Sequence, residues 1–439
     1  MTLNETLAAG RLHWPGEDGY EERRLPWQRK FDSRPAAIVE ARGPRDVRAA
    51  LEIMRDNELP LAVQATGHGA VAASDGALLL STAGMRGVEV DGERWTARAR
   101  AGTPWADVIA AAAPYGLAPL SGSSAGVGVA GYTLGGGAGL LSRAYGFAAD
   151  SLVRAHVVTA DGSELTATAD EHPDLFWALR GGGGNFGIVT ELEFRLHPIE
   201  RMYGGMAMFG ATRAADVLAR YREWALDEPD ELSTSLTVMT VPPLPQMPDA
   251  VRGQRVLVLR ALYLGAAGEG ERLLAPLLEV AGPPLLNGMG PMSFADTSSA
   301  FGPPPPPTVG ELNIELFHEL VDPVLDVVCD PDSPVTALEV RHWGGAMANP
   351  GADAGPCGHR DVPFSVVTTA IAPDREGYPA ARAATASVAA RLRPHATGGT
   401  FLNFLSDPAR VATAYTAGDY EALAAIKTAY DPEGVFGRW

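Results

Sequence analysis

The chain has 439 residues, 46% of them hydrophobic, and a formal net charge of −18, so it has room for two or three domains with cores of their own. Lys and Arg are scattered along the chain, so we exclude a nucleic acid partner. No apolar run approaches the roughly 20 residues of a membrane helix, and the N-terminus has no basic start followed by an apolar run, so we exclude a membrane span and a secretory signal. We expect a soluble, cytoplasmic protein. Two cysteines, Cys329 and Cys357, and nine histidines without close spacing exclude a disulfide framework and predict no metal site.

Two strand and helix units open the chain. AAIVEA predicts a strand, Pro44 begins the helix DVRAALEIMRDN, and LPLAVQA predicts a second strand. WTARARA is the next strand, followed by a helix for which Thr103 is the expected N-cap, Pro104 the first residue and Gly116 the end.

The segment from 119 to 146 is too rich in glycine for a stable helix or a regular strand, so we expect a loop wrapped around a ligand. After it come a hairpin with a turn at Asp161 and Gly162, a short helix in PDLFWALR and the strand IVTELEFRL. The first domain is predicted to span residues 1–200.

Residues 201–400 alternate strands with helices, which predicts a second domain made of one sheet backed by helices. Residues 401–439 begin like a strand, continue as a helix from about 418, and have no core of their own. This C-terminal segment must therefore dock on another part of the chain.

Two short motifs in the Gly-rich loop suggest other chemistries. Residues 126–131 match the dinucleotide pattern GxGxxG, with Asp150 near the expected ribose contact, and residues 122–126 match the serine-nucleophile pattern GxSxG. Both patterns require a preceding strand and a following helix, a context that the sequence does not supply. A cradle of bare backbone amides around one large anionic ligand such as a pyrophosphate accounts for the whole loop better.

A histidine lies between two glycines in the stretch Thr66 to Gly69. The missing side chains leave the imidazole of His68 unshielded, so a flat ring system can approach its nitrogen. A lone loop histidine is otherwise most often an ordinary surface or core residue.

Six segments, spread from residue 34 to residue 436, follow one another along the chain: RPAAIVEARGPRDV, AVQATGHGAVAASDGALLLSTAGM, AGTPWADV, GVGVAGYTLGGGAGLLSRAYG, LFWALRGGGGNFGIVTELEF and IKTAYDPEGVF. This set resembles the berberine-bridge-enzyme-like branch of the vanillyl-alcohol oxidase and p-cresol methylhydroxylase (PCMH-type) superfamily of flavoproteins. The resemblance implies an α+β fold: a bilobal PCMH-type FAD-binding domain, a substrate domain whose antiparallel sheet is backed by helices and roofs the flavin, and a C-terminal segment that returns to the FAD domain.

The resemblance also implies covalent FAD, bonded to His68 through the 8α-methyl of the flavin. The loops around His68 and from Ser121 to Gly139 would enclose the pyrophosphate and one flavin edge, Ile188 and Val189 would lie by the adenine, and Asn403 would reach the flavin ring. The implied cofactor-binding residues are His68, Gln64, Thr66, Gly67, Gly69, Ser121, Ser124, Gly128, Gly131, Tyr132, Gly135, Gly136, Gly139, Ile188, Val189 and Asn403.

The chain departs from the family at three positions. Ser124 stands where some relatives attach FAD through a second residue, a cysteine, and neither Cys329 nor Cys357 is near it in sequence, so we expect a single attachment. Phe401 replaces the tyrosine of the family's Tyr-x-Asn, and Thr368 stands where some plant relatives have a glutamate base.

Proton removal would then fall to another residue. The candidates are Tyr132 in the glycine loop and His342 on the strand before Gly344. For each of them, a plain packing or strand-face role is about as good an interpretation.

The resemblance implies an oxidase that takes two electrons from a small molecule and passes them to O2, giving H2O2. Sugars, alkaloid-like amines and secondary-metabolite intermediates stay open as substrates, and the departures favour the last. The alternatives are an FAD protein that catalyses a cyclisation or rearrangement without net redox change, or a flavin-binding protein that has lost catalysis. The sequence does not indicate the oligomeric state.

Overall fold

The structure, a computed structural model, describes residues 7–302 and 305–437. The strands are β1 (Arg11–His13), β2 (Ala37–Glu40), β3 (Leu61–Gln64), β4 (Leu78–Ser81), β5 (Val88–Asp91), β6 (Thr96–Arg100), β7 (Leu117–Ala118), β8 (Leu152–Val158), β9 (Glu164–Ala167), β10 (Ile188–Arg195), β11 (His197–Pro198), β12 (Met202–Gly210), β13 (Leu232–Thr240), β14 (Arg255–Tyr263), β15 (Leu286–Asn287), β16 (Gly290–Met292), β17 (Val309–Phe317), β18 (Ala337–His342) and β19 (Phe364–Ala372). The helices are α1 (Tyr20–Arg23), α2 (Pro44–Asp56), α3 (Trp105–Ala112), α4 (Val129–Leu134), α5 (Ser142–Tyr145), α6 (Pro173–Leu179), α7 (Ala214–Trp224), α8 (Ala267–Ala281), α9 (Thr297–Ala300), α10 (Asp322–Cys329), α11 (Tyr378–Leu392) and α12 (Ala417–Tyr430). Within these described ranges, no helix combines the length and the apolar character that crossing a membrane requires.

Residues 7–200 form two lobes, each with a sheet of its own. One sheet has the order β1-β2-β4-β3, in which β2, β4 and β3 run parallel because α2 carries the chain back between β2 and β3. The other is antiparallel with the order β5-β6-β10-β8-β9. The Gly-rich loop joins this second lobe through α3, so the loops that carry the candidate site lie on a packed support.

Residues 202–372 form one antiparallel sheet with the order β15-β12-β14-β13-β18-β19-β17, and β16 also pairs with β12. Residues that alternate along its strands, such as Val340 on β18 and Val366 on β19, share a core with α7, α8, α10 and α11. The prediction of an α+β fold with an antiparallel sheet backed by helices is confirmed.

The other face of this sheet carries the intervening residues, because successive side chains of a strand point to opposite faces. Arg341 lies directly opposite Ser235 of β13, and Ser235 lies opposite Arg260 of β14. The face of the sheet that carries no helix, here called the roof, is turned towards the Gly-rich loop and the segment after residue 400, and part of it packs against Phe147, Phe401 and Phe404.

The C-terminal segment docks on the first domain. The hydroxyl of Tyr415 donates to the carbonyl of Gly181 at 3.2 Å, and Lys427 of α12 donates to the carbonyl of Asn185 at 2.8 Å. The strand-like start expected at residue 401 is instead a turn of 3-10 helix at Leu402–Phe404.

Two local predictions were wrong. The Gly-rich loop contains the short helices α4 and α5, because Val129 and Leu134 have a core to pack against. The helix α3 begins at Trp105 with Pro104 as its extended N-cap, while the hydroxyl of Thr103 exchanges hydrogen bonds with the backbone of Gly87. The dinucleotide and serine-nucleophile patterns thus do have a helix after them, but the strand before them is the two-residue β7, which pairs with β11 and belongs to no parallel sheet.

Candidate functional site

His68 lies in a loop held by its backbone. The carbonyl of Thr66 accepts from the amide of Trp27 at 3.1 Å, and the Trp27 ring stacks on the imidazole with centroids 4.5 Å apart. Gly67 has φ +75° and a Cβ there would lie 2.6 Å from Pro26, so this position requires glycine. The ring Nδ1 of His68 is 2.8 Å from the hydroxyl of Thr66, which fixes the ring's orientation.

Burial lowers the pKa of His68 to about 4. The imidazole is therefore neutral at physiological pH and keeps a nitrogen lone pair. A neutral, oriented imidazole is the form that can bond to carbon.

The Gly-rich loop contacts both α3 and the His68 loop. The carbonyls of Ala125 and Val127 accept from the first amides of α3, at 2.8 and 3.0 Å. Because the N–H of a trans peptide points opposite to its carbonyl, the N–H groups of Gly126 and Gly128 point away from α3. A Cβ on Gly128 would lie 3.5 Å from Thr66, so the two loops meet at this point.

The donor set and the free space suit an FAD. A Cβ added at Gly69, Gly126 or Gly131 would meet nothing within 4 Å, so these backbones border open space. The buried hydroxyls of Ser121 and Thr133 have no hydrogen-bond partner among the described residues, a state that a ligand relieves. Adjacent amides in a loop form a concavity for anions such as a pyrophosphate.

Asn403 closes the Gly-rich loop from the far end of the chain. Its Oδ1 accepts from the amide of Gly137 at 2.7 Å and its Nδ2 donates to the carbonyl of Tyr132 at 3.1 Å. A Cβ at Gly135 would lie 2.4 Å from the Asn403 amide, and one at Gly139 would lie 2.1 Å from the carbonyl of Ser121. These glycines allow the close approach that the closure needs.

The remaining predicted cofactor residues lie outside the His68 loop and the contacts of Asn403. Gln64 ends β3, and its carbonyl accepts from the amide of Thr82 at 2.8 Å. Ile188 and Val189 begin β10 and are buried in the hydrophobic core of the first domain. A Cβ on Gly136 would lie 2.9 Å from the ring of Phe401.

Tyr132 is enclosed by the Gly-rich loop. Its hydroxyl is buried without a partner among the described residues, and its ring meets Trp105 edge-on with centroids 5.6 Å apart. Burial raises the pKa of this phenol well above its usual value, and the positive charge of Arg341 offsets that only in part. This environment suits a packing ring better than a proton acceptor.

His342 lies on the helix-covered face of the sheet, away from the roof. Its Nδ1 is 2.6 Å from a carboxylate oxygen of Glu228, and its Nε2 is 3.4 Å from Arg143, which donates to the carbonyl of Trp343. Burial lowers the pKa of His342 despite the opposing effect of Glu228. This buried cluster joins α5 of the first domain to the sheet, which favours a positioning role over a base.

Thr368 also faces the helices, since it pairs with Leu338 and lies between two residues of the helix-side core on β19. The roof positions of β19 are Ser365, Val367 and Thr369, none of which is a general base at neutral pH. Phe401 packs in an aromatic cluster and stacks on Phe147 with centroids 5.3 Å apart.

Cys357 is distant from the Gly-rich loop in sequence but close to it in the fold. A Cβ on Gly136 would lie 3.0 Å from its sulfur. The thiol is buried and 3.6 Å from the carbonyl of Arg180, and burial raises its pKa to about 12. A thiol in this state is unreactive, whereas Ser124 offers only a hydroxyl.

The charged residues of the roof were not predicted from the sequence. Glu339 and Arg341 lie two positions apart on β18 and form an ion pair with N and O 3.2 Å apart; their side chains are 20% and 24% exposed. The guanidinium of Arg341 also lies 5.7 Å from the ring centre of Phe404, next to Asn403. The signal was the alternation LEVRH, which places two charged residues on one face of an internal strand.

Comparison with known proteins agrees with this architecture. A family model described as an FAD binding domain matches residues 35–168. An FAD-linked oxidoreductase of Dictyostelium discoideum is 26% identical over 93% of this chain and 89% of its own length, and the (R)-6-hydroxynicotine oxidase of Paenarthrobacter nicotinovorans is 34% identical over 44% of this chain and 42% of its own length. The solved structure of BBE-like 1 from Physcomitrella patens is similar with a TM-score of 0.87 at 20% identity, covering 99% of this chain and 97% of that one.

Proposed function

We propose that this chain is an FAD-linked oxidoreductase of the berberine-bridge-enzyme-like branch of the PCMH-type superfamily, and that it is an oxidase that holds FAD covalently through His68. Its substrate is a small organic molecule, which loses two electrons and two protons while O2 becomes H2O2. When bound, the flavin supplies the redox chemistry by accepting a hydride equivalent from the substrate and passing the electrons to O2. The protein's own residues hold the cofactor, place the substrate against it and take up the proton.

The observation that carries the proposal is the convergence of three separate segments. The Gly-rich loop meets the His68 loop at Gly128, where an added Cβ would lie 3.5 Å from Thr66, and Asn403 of the C-terminal segment binds the same Gly-rich loop at Gly137. The neutral imidazole of His68 provides the nucleophilic nitrogen for a covalent link.

Glu339 is the proposed proton acceptor. Burial raises the pKa of its carboxyl, but the charges of Arg341 and Arg260 and a hydrogen bond from Ser235 outweigh burial and hold that pKa below its usual range. Glu339 is therefore ionised at neutral pH and able to take a proton. It lies on the roof, whereas His342 does not.

The test uses purified wild type, His68→Ala and, as a matched control, His318→Ala, whose histidine is exposed in a loop after β17. After acid precipitation, flavin should stay with wild type and His318→Ala and be released from His68→Ala. A colourless wild-type protein contradicts the FAD assignment, and flavin released from all three contradicts the covalent link.

Turnover separates the oxidase from its alternatives. Candidate substrates are screened by H2O2 release and by bleaching of the flavin without oxygen. Glu339→Gln should reduce turnover about a hundredfold or more while flavin stays attached, because general base catalysis contributes factors of this size. A substrate that is converted without bleaching or H2O2 instead supports a non-redox cyclisation or rearrangement.

A further inference from the structure

Two rows of side chains cross the middle of the roof. One row runs from Met206 through Arg260 and Ser235 to Arg341, each residue directly opposite the next on neighbouring strands. Adjacent strands are about 4.8 Å apart, so the Cα atoms of the two arginines are roughly 10 Å apart with the small Ser235 between them. Both guanidinium groups can therefore reach a ligand placed between them.

The neighbouring row contains the only carboxylate paired with these arginines among the described residues. Thr237 lies opposite Glu339, and Arg260 donates to the hydroxyl of Thr237 at 3.2 Å. Glu339 is paired with Arg341, and in the described part of the chain Arg260 has no ion pair within 4.0 Å. Two positive charges and one negative charge leave this part of the roof with one positive charge in excess.

An excess charge on a largely covered face needs a counter-charge, because removing an ion from water is costly unless it is paired. The fork of a guanidinium fits a carboxylate with two parallel hydrogen bonds. No described residue of the chain supplies that second carboxylate to Arg260 within ion-pair distance.

Beside Arg260 the roof is apolar. Met206 and Met208 of β12 and Met239 of β13 are partly exposed and pack against the small hydrophobic cluster that contains Val256 and Val258. Methionine side chains are flexible and adapt to irregular apolar surfaces. The charged and the apolar parts of the roof are contiguous on β14.

We propose that Arg260 and Arg341 bind an acidic group of the substrate, a carboxylate or a comparable organic anion, while the methionine side of the roof holds its apolar body. The substrate class is thus an organic acid with an apolar skeleton. This inference rests on the proposed function, since it takes the roof to be the substrate side of the flavin. Because Glu339 neutralises one of the two arginine charges, the site carries one excess positive charge, which matches a monoanion.

The experiment measures binding by calorimetry on the purified flavin-loaded protein at low salt. The probes are phenylacetate and phenylacetamide, which have the same ring and differ in charge. We expect phenylacetate to bind about tenfold to hundredfold more tightly than the amide, as for a charge-assisted hydrogen-bond pair. Arg260→Met and Arg341→Met should remove most of this preference.

Two further variants guard against misfolding. Arg255→Met is the matched control, because Arg255 lies at the start of the same strand and donates to the carbonyl of Asp330 on the helix side. It should keep the wild-type preference. Glu339→Gln adds one unit of positive charge to the site and should tighten phenylacetate binding several-fold, a gain that a misfolded protein does not produce.

Equal binding of acid and amide by wild type overturns the proposal, as does an equal loss in Arg255→Met and Arg260→Met. Flavin content and H2O2 release are measured on the same preparations. A colourless protein contradicts the proposed function, whereas a yellow, active protein without a preference for phenylacetate contradicts only the inference about the acid.

Discussion

Replacing Asn403 by alanine tests whether the C-terminal segment holds the Gly-rich loop in place. The change removes two hydrogen bonds, to the amide of Gly137 and the carbonyl of Tyr132, which join segments 266 and 271 residues apart. At 0.5 to 1.5 kcal/mol each, their loss should lower the free energy of unfolding by about 1 to 3 kcal/mol. An unfolding entropy near 2.1 cal/mol/K per residue over 439 residues gives a fall in Tm of about 1 to 3 °C.

The assay compares Asn403→Ala with Asn349→Ala, an exposed asparagine whose side chain, among the described residues, bonds to the carbonyl of Gly345 four residues earlier. Thermal unfolding is followed together with limited trypsin cleavage after Arg410 and Lys427. The Asn403 variant should lose its C-terminal segment to trypsin faster. If both variants match wild type in Tm and cleavage rate, Asn403 does not hold the Gly-rich loop to the C-terminal segment.

Three further outcomes are expected. Gly139→Ala should lower flavin content and reduce the free energy of unfolding by about 2 kcal/mol or more, because its Cβ would lie 2.1 Å from the Ser121 carbonyl. The control Gly418→Ala lies in α12 with open space around it and should be neutral or stabilising by up to about 1 kcal/mol. Chemical denaturation measures both variants. Burial, and secondarily Arg195, lower the pKa of His197 from 6.5 to about 4. Protons therefore bind the unfolded chain more readily, and the free energy of unfolding should fall as the pH drops from 6.5 to about 4. His197→Gln should remove part of that fall, and the same pH profile in the variant and in wild type would contradict this prediction. Burial raises the pKa of the Cys329 thiol to about 11 and that of Cys357 to about 12, so a disulfide reagent should react with neither in the native protein and with both after unfolding.

The sequence alone suggested the parts of the candidate site that depend on local chemistry. Glycine spacing predicted the loop from Ser121 to Gly139, and the glycines around His68 made its ring a candidate. These features are readable because a positive φ or a close backbone approach restricts the residue type at that one position.

Features that depend on which face of a strand a side chain occupies could not be predicted from the sequence. Thr368 and His342 were weighed as site positions, yet both point to the helices, because shifting a strand by one residue reverses its faces. Glu339 and Arg341 became recognisable only when strand pairing showed which face of β18 carries no helix. Cys357 is distant from Gly136 in sequence, so only the fold brings them together.

The position of Asn403 has a consequence for synthesis of the protein. A ribosome makes the whole Gly-rich loop long before it makes Asn403, which binds that loop, and α12 follows later still. A nascent chain that has not reached residue 403 therefore lacks this support for the Gly-rich loop, and we expect the cofactor to bind only after Asn403 has been made. Chains truncated before residue 403 should accumulate without flavin even though every residue of the Gly-rich loop is present.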